Sequence, residues 1–165
     1  MGFARRVVRK RLAAGKEHPT RYTERLGEPS LPRPDGRLIW FHAASIGEAL
    51  SILEVIERLR EEVPDASILV TTVTRTSADI LATRLPKGAF HLFTPVDAAQ
   101  AVNRFLDHWK PDLAVWTESE LWPMLMHRTR RNRIPMLLVK ARISEESVKR
   151  IRRIGGLSNS LLSRK

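Results

Sequence analysis

Glu48 ends the run His42-Ala43-Ala44-Ser45-Ile46-Gly47-Glu48, where an apolar stretch gives way to an amphipathic one. Ser45 and Glu48 have the S-x-x-E spacing of a capping box, in which hydroxyl and carboxylate satisfy the first free N–H groups of a helix. A carboxylate in that place can also serve as a general base, held ionised by the helix N-terminus. From spacing alone both readings stand. Gly47 lets the backbone turn closely and relieves crowding at the bend.

A second acidic run is Trp116-Thr117-Glu118-Ser119-Glu120-Leu121-Trp122-Pro123. Thr117 and Glu120 repeat the capping-box spacing, and Glu118 is not needed by it. Trp122 and Pro123 beside Glu118 and Glu120 suit the stiff, partly apolar wall of a sugar site. They equally suit a packed loop carrying a solvated acid. In Thr71-Thr72-Val73-Thr74-Arg75-Thr76-Ser77, Thr74, Arg75 and the helix-start N–H groups can hold an anion. The plainer reading makes Thr76 or Ser77 an N-cap. Arg142, in Lys140-Ala141-Arg142-Ile143-Ser144-Glu145-Glu146, can grip a phosphate or carboxylate with two N–H groups. It can also pair with Glu145 or Glu146.

Each run follows a short β-rich stretch. Five of these, Leu38–His42, Ser67–Thr72, Ala89–Phe93, Leu113–Thr117 and Met136–Val139, read as buried strands. Between them, Glu48–Glu62 sets Leu50, Leu53, Ile56 and Leu59 on one helical face, and Ala98–Trp109 does so with Val102, Phe105, Leu106 and Trp109. Ala78–Leu85 and Leu121–Arg131 are further helix candidates. Alternating strands and helices imply an α/β fold with a Rossmann-like open parallel sheet, whose ligands bind outside the carboxyl ends of the strands. The expected organisation is a basic lead-in over 1–35, a Rossmann-like domain over 36–154 and a truncated linker over 155–165.

The 165 residues suffice for one core. With no cysteine, neither a disulfide nor a thiolate metal site is possible. Five histidines without paired spacing suggest no metal site, and no G-x-G-x-x-G, P-loop or G-x-S-x-G is present. His42 reads as a core or site-edge imidazole. The net charge of +11 is uneven. Residues 1–33 carry nine Lys/Arg against three acids, and 127–165 carry twelve against two. The centre carries eight against thirteen. Basic flanks on an acidic centre suit an anionic membrane surface or a phosphorylated ligand better than a nucleic acid. No apolar run is long enough to span a bilayer. The segment 1–14, with Phe3, Val7, Val8 and Leu12 among arginines, suits a short interfacial helix or a solvated terminus.

In colinear order, RYTERLGEP (21–29), WFHAASIGEAL, TTVTRTSA, FTPVDAAQAVNRFLDHWKPDLAVWTESELWP and KARISEES resemble the 3-deoxy-D-manno-octulosonic acid (Kdo) transferases of lipopolysaccharide synthesis. The likeness runs from about Arg21 to Ser147. It implies the N-terminal half of a two-domain GT-B glycosyltransferase, binding a lipid A precursor (lipid IVA), with CMP-Kdo bound by a C-terminal domain outside this chain. By the family's motifs, Glu48 is the general base and Glu118 supports the transition state. Ser45, Gly47, Thr74, Arg75, Glu120, Trp122 and Arg142 then fall on the acceptor side. The donor is a substrate and no cofactor is implied. The implied location is peripheral, on the cytoplasmic face of the bacterial inner membrane. The chain departs from the family at Met124 and Lys140, where asparagine is usual, and in the basic segment standing where an apolar anchor is usual. With the CMP-Kdo site expected on a domain outside this chain, it is expected to be inactive alone. The alternatives are one half of a split enzyme, or a non-catalytic module for anionic lipid or phosphate.

Overall fold

The computed structural model describes residues 2–117, 122–139 and 145–154. The five apolar runs form β1 (Leu38–His42), β2 (Ser67–Thr72), β3 (Ala89–Phe93), β4 (Leu113–Thr117) and β5 (Met136–Val139). They make one sheet in the order β3-β2-β1-β4-β5, with every pair parallel. This is the Rossmann-like sheet expected. Its order reverses at β1, so the switch point lies between β1 and β4 at their carboxyl ends.

Alternate residues face opposite layers. Ile39, Phe41, Ile68, Val70, Leu113 and Val115 pack under α2 (Ile46–Glu62), α3 (Arg75–Arg84) and α6 (Glu145–Ile154). Leu38, Trp40, Leu69, Ala114 and Trp116 pack under α4 (Ala99–Trp109) and α5 (Pro123–Arg131). The buried stripe of α2 is Ala49, Ile52, Leu53, Val55, Ile56 and Leu59. Leu50, expected on that stripe, is 39% exposed, because a 3.6-residue period places Ala49 and not Leu50 in line with Ile52 and Ile56.

Before β1 the chain forms α1 (Gly2–Ala13) and a 3-10 turn, Tyr22–Leu26. Ala4, Val8 and Leu26 make a small core of their own with Tyr22, Val96 and Ala98. Gly27 ends the 3-10 turn at φ +75°, and a Cβ there would run into the Ala101 carbonyl oxygen of α4. Only glycine allows this approach. Arg21 and Glu24 close the edge of β3. Glu24 Oε2 accepts from Phe93 N at 2.8 Å, and Arg21 Nη2 donates to His91 O at 2.9 Å. The two side chains pair with each other through both guanidinium branches at 2.9 Å. An edge strand's free N–H and C=O are thereby satisfied without another strand.

Candidate functional site at the switch point

Ser45 caps α2, its Oγ accepting from Glu48 N at 3.3 Å. The other half of the capping box does not close on Ser45. Glu48 Oε2 instead accepts from Ala44 N, one residue further back, at 2.8 Å. The same oxygen accepts a short hydrogen bond from the Thr117 hydroxyl, which also lies 3.2 Å from the His42 carbonyl oxygen. Thr117 stands at the end of β4, so this bond crosses the switch point. Among the described residues none donates a hydrogen bond to Glu48 Oε1. Glu48 is buried, the whole residue being 7% exposed. Its carboxylate is held by one oxygen, and the other has no partner among the described residues.

This geometry corrects three local expectations. Thr117 does not cap the following helix; its hydroxyl serves Glu48. The N-cap of α3 is Thr74, not Thr76 or Ser77, with Thr74 Oγ1 accepting from Ser77 N at 3.2 Å. Gly47 relieves no crowding, for a Cβ there would have only Ser45 Oγ near it, at 4.0 Å. Ser45 and Gly47, beside Glu48 in the chain, are both exposed.

Behind the crevice sits His42, buried between Thr71 of β2 and Trp116 of β4 by register. Its Nδ1 lies 3.0 Å from Thr71 Oγ1 and 3.3 Å from Thr94 Oγ1. Trp116 and Trp122 meet its ring edge-on at 5.0 and 5.6 Å. Burial lowers the His42 pKa from 6.5 to about 3, with the nearby Arg25 charge adding to it. The imidazole is therefore neutral at physiological pH.

Parallel strands bring every strand-end residue to one edge. Ser45, Gly47, Glu48, Thr74, Arg75 and Trp122 all lie there. Arg75 is exposed at the head of α3, and its Nη1 reaches Gly15 O at 3.3 Å. Glu118, Glu120 and Arg142 lie outside the described residues. Asp97, in the FTPVD run, was not singled out by the sequence, and Thr117, read there only as a cap, matters for its hydroxyl. Asp97 takes the first N–H groups of α5, from Met124 at 3.1 Å and Leu125 at 2.7 Å. A carboxylate two residues before one helix, capping another, carries no local sequence signal. Among the described residues no cluster of His, Asp or Glu could hold a metal ion.

The family model of 3-deoxy-D-manno-octulosonic-acid transferase (kdotransferase) matches residues 20–165. The chain belongs to this family. It is 43% identical over 143 residues to a probable mitochondrial 3-deoxy-D-manno-octulosonic acid transferase of Arabidopsis thaliana, which is 87% of this chain and 32% of that protein. The transferase of Rickettsia typhi is 45% identical over 112 residues, 68% of this chain and 24% of the relative. That of Haemophilus influenzae is 33% identical over 141 residues, 81% and 33% respectively. The chain thus spans about a quarter to a third of the Kdo transferases it matches. This is a smaller share than half of a two-domain protein would be. Among the described residues no helix is long and apolar enough to cross a membrane.

Proposed function

We propose that this chain is the acceptor-binding part of a glycosyltransferase that moves Kdo from CMP-Kdo to a lipid A precursor. The observation that carries the reading is the Glu48 carboxylate, fixed across the switch point through Oε2, with no donor to Oε1 among the described residues. In this reading Oε1 takes the proton of an acceptor hydroxyl. That oxygen forms a bond to the anomeric carbon of Kdo, the bond from that carbon to the CMP phosphate breaks, and CMP leaves. One base and one displacement correspond to inversion at that carbon. Ser45, Gly47 and Trp122 line the acceptor side, and Glu118 supports the transition state on the strength of the ESELWP motif. Arg75 stands where an acceptor phosphate would be met, at the head of the helix that Thr74 caps, with Arg142 and Glu120 assigned from sequence alone. The donor site belongs to a C-terminal domain of the GT-B type, supplied by further polypeptide. No cofactor takes part.

The acceptor is a lipid, and α1 supports a peripheral station on an anionic membrane surface. Phe3 is 78% exposed. Arg6, Arg9 and Lys10 are exposed and form no ion pair among the described residues. The helix packs beside Val96 and Ala98, just beyond the carboxyl end of β3, so its basic face flanks the rim that carries Glu48. The same face is the observation that favours a non-catalytic module for anionic lipid.

Transfer of radiolabelled Kdo from CMP-Kdo to lipid IVA decides between them. The chain is assayed alone and mixed with a chain supplying the remaining length of a relative. Transfer in the mixture that disappears with Glu48→Gln supports the enzyme. Salt-sensitive binding to anionic vesicles, with no transfer in any mixture, sinks it in favour of the module.

A further inference from the structure

Asp97 stands in the β3–α4 connection, two residues before α4. An acid there is placed to cap α4, yet the N-cap position of α4, Ala98, has no side-chain hydrogen bond. Both carboxylate oxygens go elsewhere. Oδ2 accepts from Met124 N at 3.1 Å and Oδ1 from Leu125 N at 2.7 Å. These are the second and third residues of α5; the first, Pro123, has no N–H to offer. The residue at the N-cap of α5, Trp122, makes no side-chain cap either. The head of α5 is therefore capped from a loop 27 residues earlier in the chain. A single carboxylate with two donors at a helix N-terminus is a charge-assisted cap.

The consequence falls on Trp122, which immediately precedes this capped turn. Its indole meets the His42 ring edge-on at 5.6 Å, and His42 is itself held by Thr71 and Thr94. Thr94 opens the connection that carries Asp97. The wall beside the switch point is thus tied down at two points of one loop, by Thr94 through His42 and by Asp97 through α5. We propose that Asp97 is a positioning residue for the candidate site, fixing where Trp122 stands against His42. Its effect on acceptor binding rests on the reading of the site given above; its effect on Trp122 does not.

The indole N–H signals of the four tryptophans, read by 1H–15N NMR on the whole chain, separate a local from a general effect. In Asp97→Ala the Trp122 signal should move, while Trp40 and Trp109, deep in the same layer, stay in place. Exchange protection of the Met124 and Leu125 amides should fall by roughly two- to thirtyfold, the range for losing an N-cap. Asp97→Asn keeps a side-chain acceptor and should restore part of both. Unchanged Trp122 and amide signals in Asp97→Ala overturn the proposal, and so does an equal shift of all four indoles, which is general loosening. Lipid IVA in detergent micelles then tests the link to the site. Asp97→Ala should bind it more weakly and Asp97→Asn recover part of the loss. Equal binding by wild type and Asp97→Ala overturns the role in the site. No binding by wild type counts against the acceptor reading, while the NMR signals decide the positioning of Trp122 independently.

Discussion

The junctions β1–α2 and β2–α3 lie side by side on the rim, and each begins with a hydroxyl residue capping a helix. At β2–α3 the polar groups close on one another. Thr74 Oγ1 accepts from Ser77 N, and the two hydroxyls lie 2.7 Å apart, with Ser77 fully buried. The cap uses both hydroxyls, and Arg75 beside them is exposed. At β1–α2 the cap is looser, and the carboxylate that could have completed it is drawn back to Ala44 N and across to Thr117. The other oxygen has no donor among the described residues. The difference shows how a capping sequence becomes a site. The second strand end, β4, supplies a donor that pulls the acid out of its local box.

The sharpest way to break the comparison is Glu48→Gln. Side-chain volume and the bond from Thr117 can persist, but the proton acceptor is lost. In the mixed transfer assay the rate should fall by about 10²–10⁴-fold, the usual contribution of a general base. Stability should change by less than about 1 kcal/mol, the scale of a charge at a helix N-terminus. A loss confined to stability would make Glu48 a cap like Thr74.

Acid attacks the support common to both junctions. His42 is bonded to Thr71 and His91 to Thr72, at the end of β2. Burial lowers each pKa from 6.5 to about 3, with Arg25 and Arg21 respectively adding to it. The unfolded chain takes up these protons as pH falls below about 6.5, and the folded chain refuses them until about 3. Their contribution is therefore complete above 6.5 and is lost progressively on acidification through that window. At pH 5 this amounts to about 2 kcal/mol for each histidine, as chemical denaturation at a series of pH values would measure. His91→Gln should remove one proton from the slope. An unchanged slope would place His91 in water.

Thr117→Val tests the bond that makes the two junctions differ. The substitution keeps the shape and removes the hydroxyl that donates to Glu48 Oε2. Loss of a hydrogen bond to a charged group costs about 1.5–3 kcal/mol, so transfer should fall by roughly ten- to a hundredfold. Thr74→Ala, at the other junction, should cost about 1 kcal/mol in denaturation as an N-cap and leave the acceptor KM unchanged. If Thr74→Ala slows transfer as much as Thr117→Val, the second junction is part of the site and the contrast fails.

The sheet was legible in the sequence because strands buried on both faces are continuous apolar runs, and all five occupy the residues expected. Glu48 was legible as either cap or base. Spacing along the chain cannot separate the two, since the deciding partner, Thr117, is 69 residues away. Asp97 was invisible for the same reason. The run 14–35 read as a lead-in because its charges suggest exposure. Glu17, Glu24 and Arg25 are instead buried, and Arg21 and Glu24 close an edge strand. A charged residue is buried only with a partner; Glu24 has Arg21 and Ser30 close by in the chain, but the Phe93 N–H that fixes it against β3 is revealed by no local pattern.

The smallest expected effect is that of Ser45→Ala, and it divides the two roles of a single residue. Ser45 is exposed, and its Oγ accepts from Glu48 N at 3.3 Å, at the long end for such a bond. As a cap it should therefore contribute only about 0.5 kcal/mol, the low end of the range for serine caps. Gly47, also exposed, adds no side chain beside it. If the acceptor lies against Ser45, Ser45→Ala raises the acceptor KM while kcat and the dependence on Glu48 stay unchanged. A loss of stability near 2 kcal/mol with an unmoved KM would make Ser45 a structural cap of the Thr74 kind. The bond from Thr117 to Glu48 would then be the whole of the difference between the two junctions.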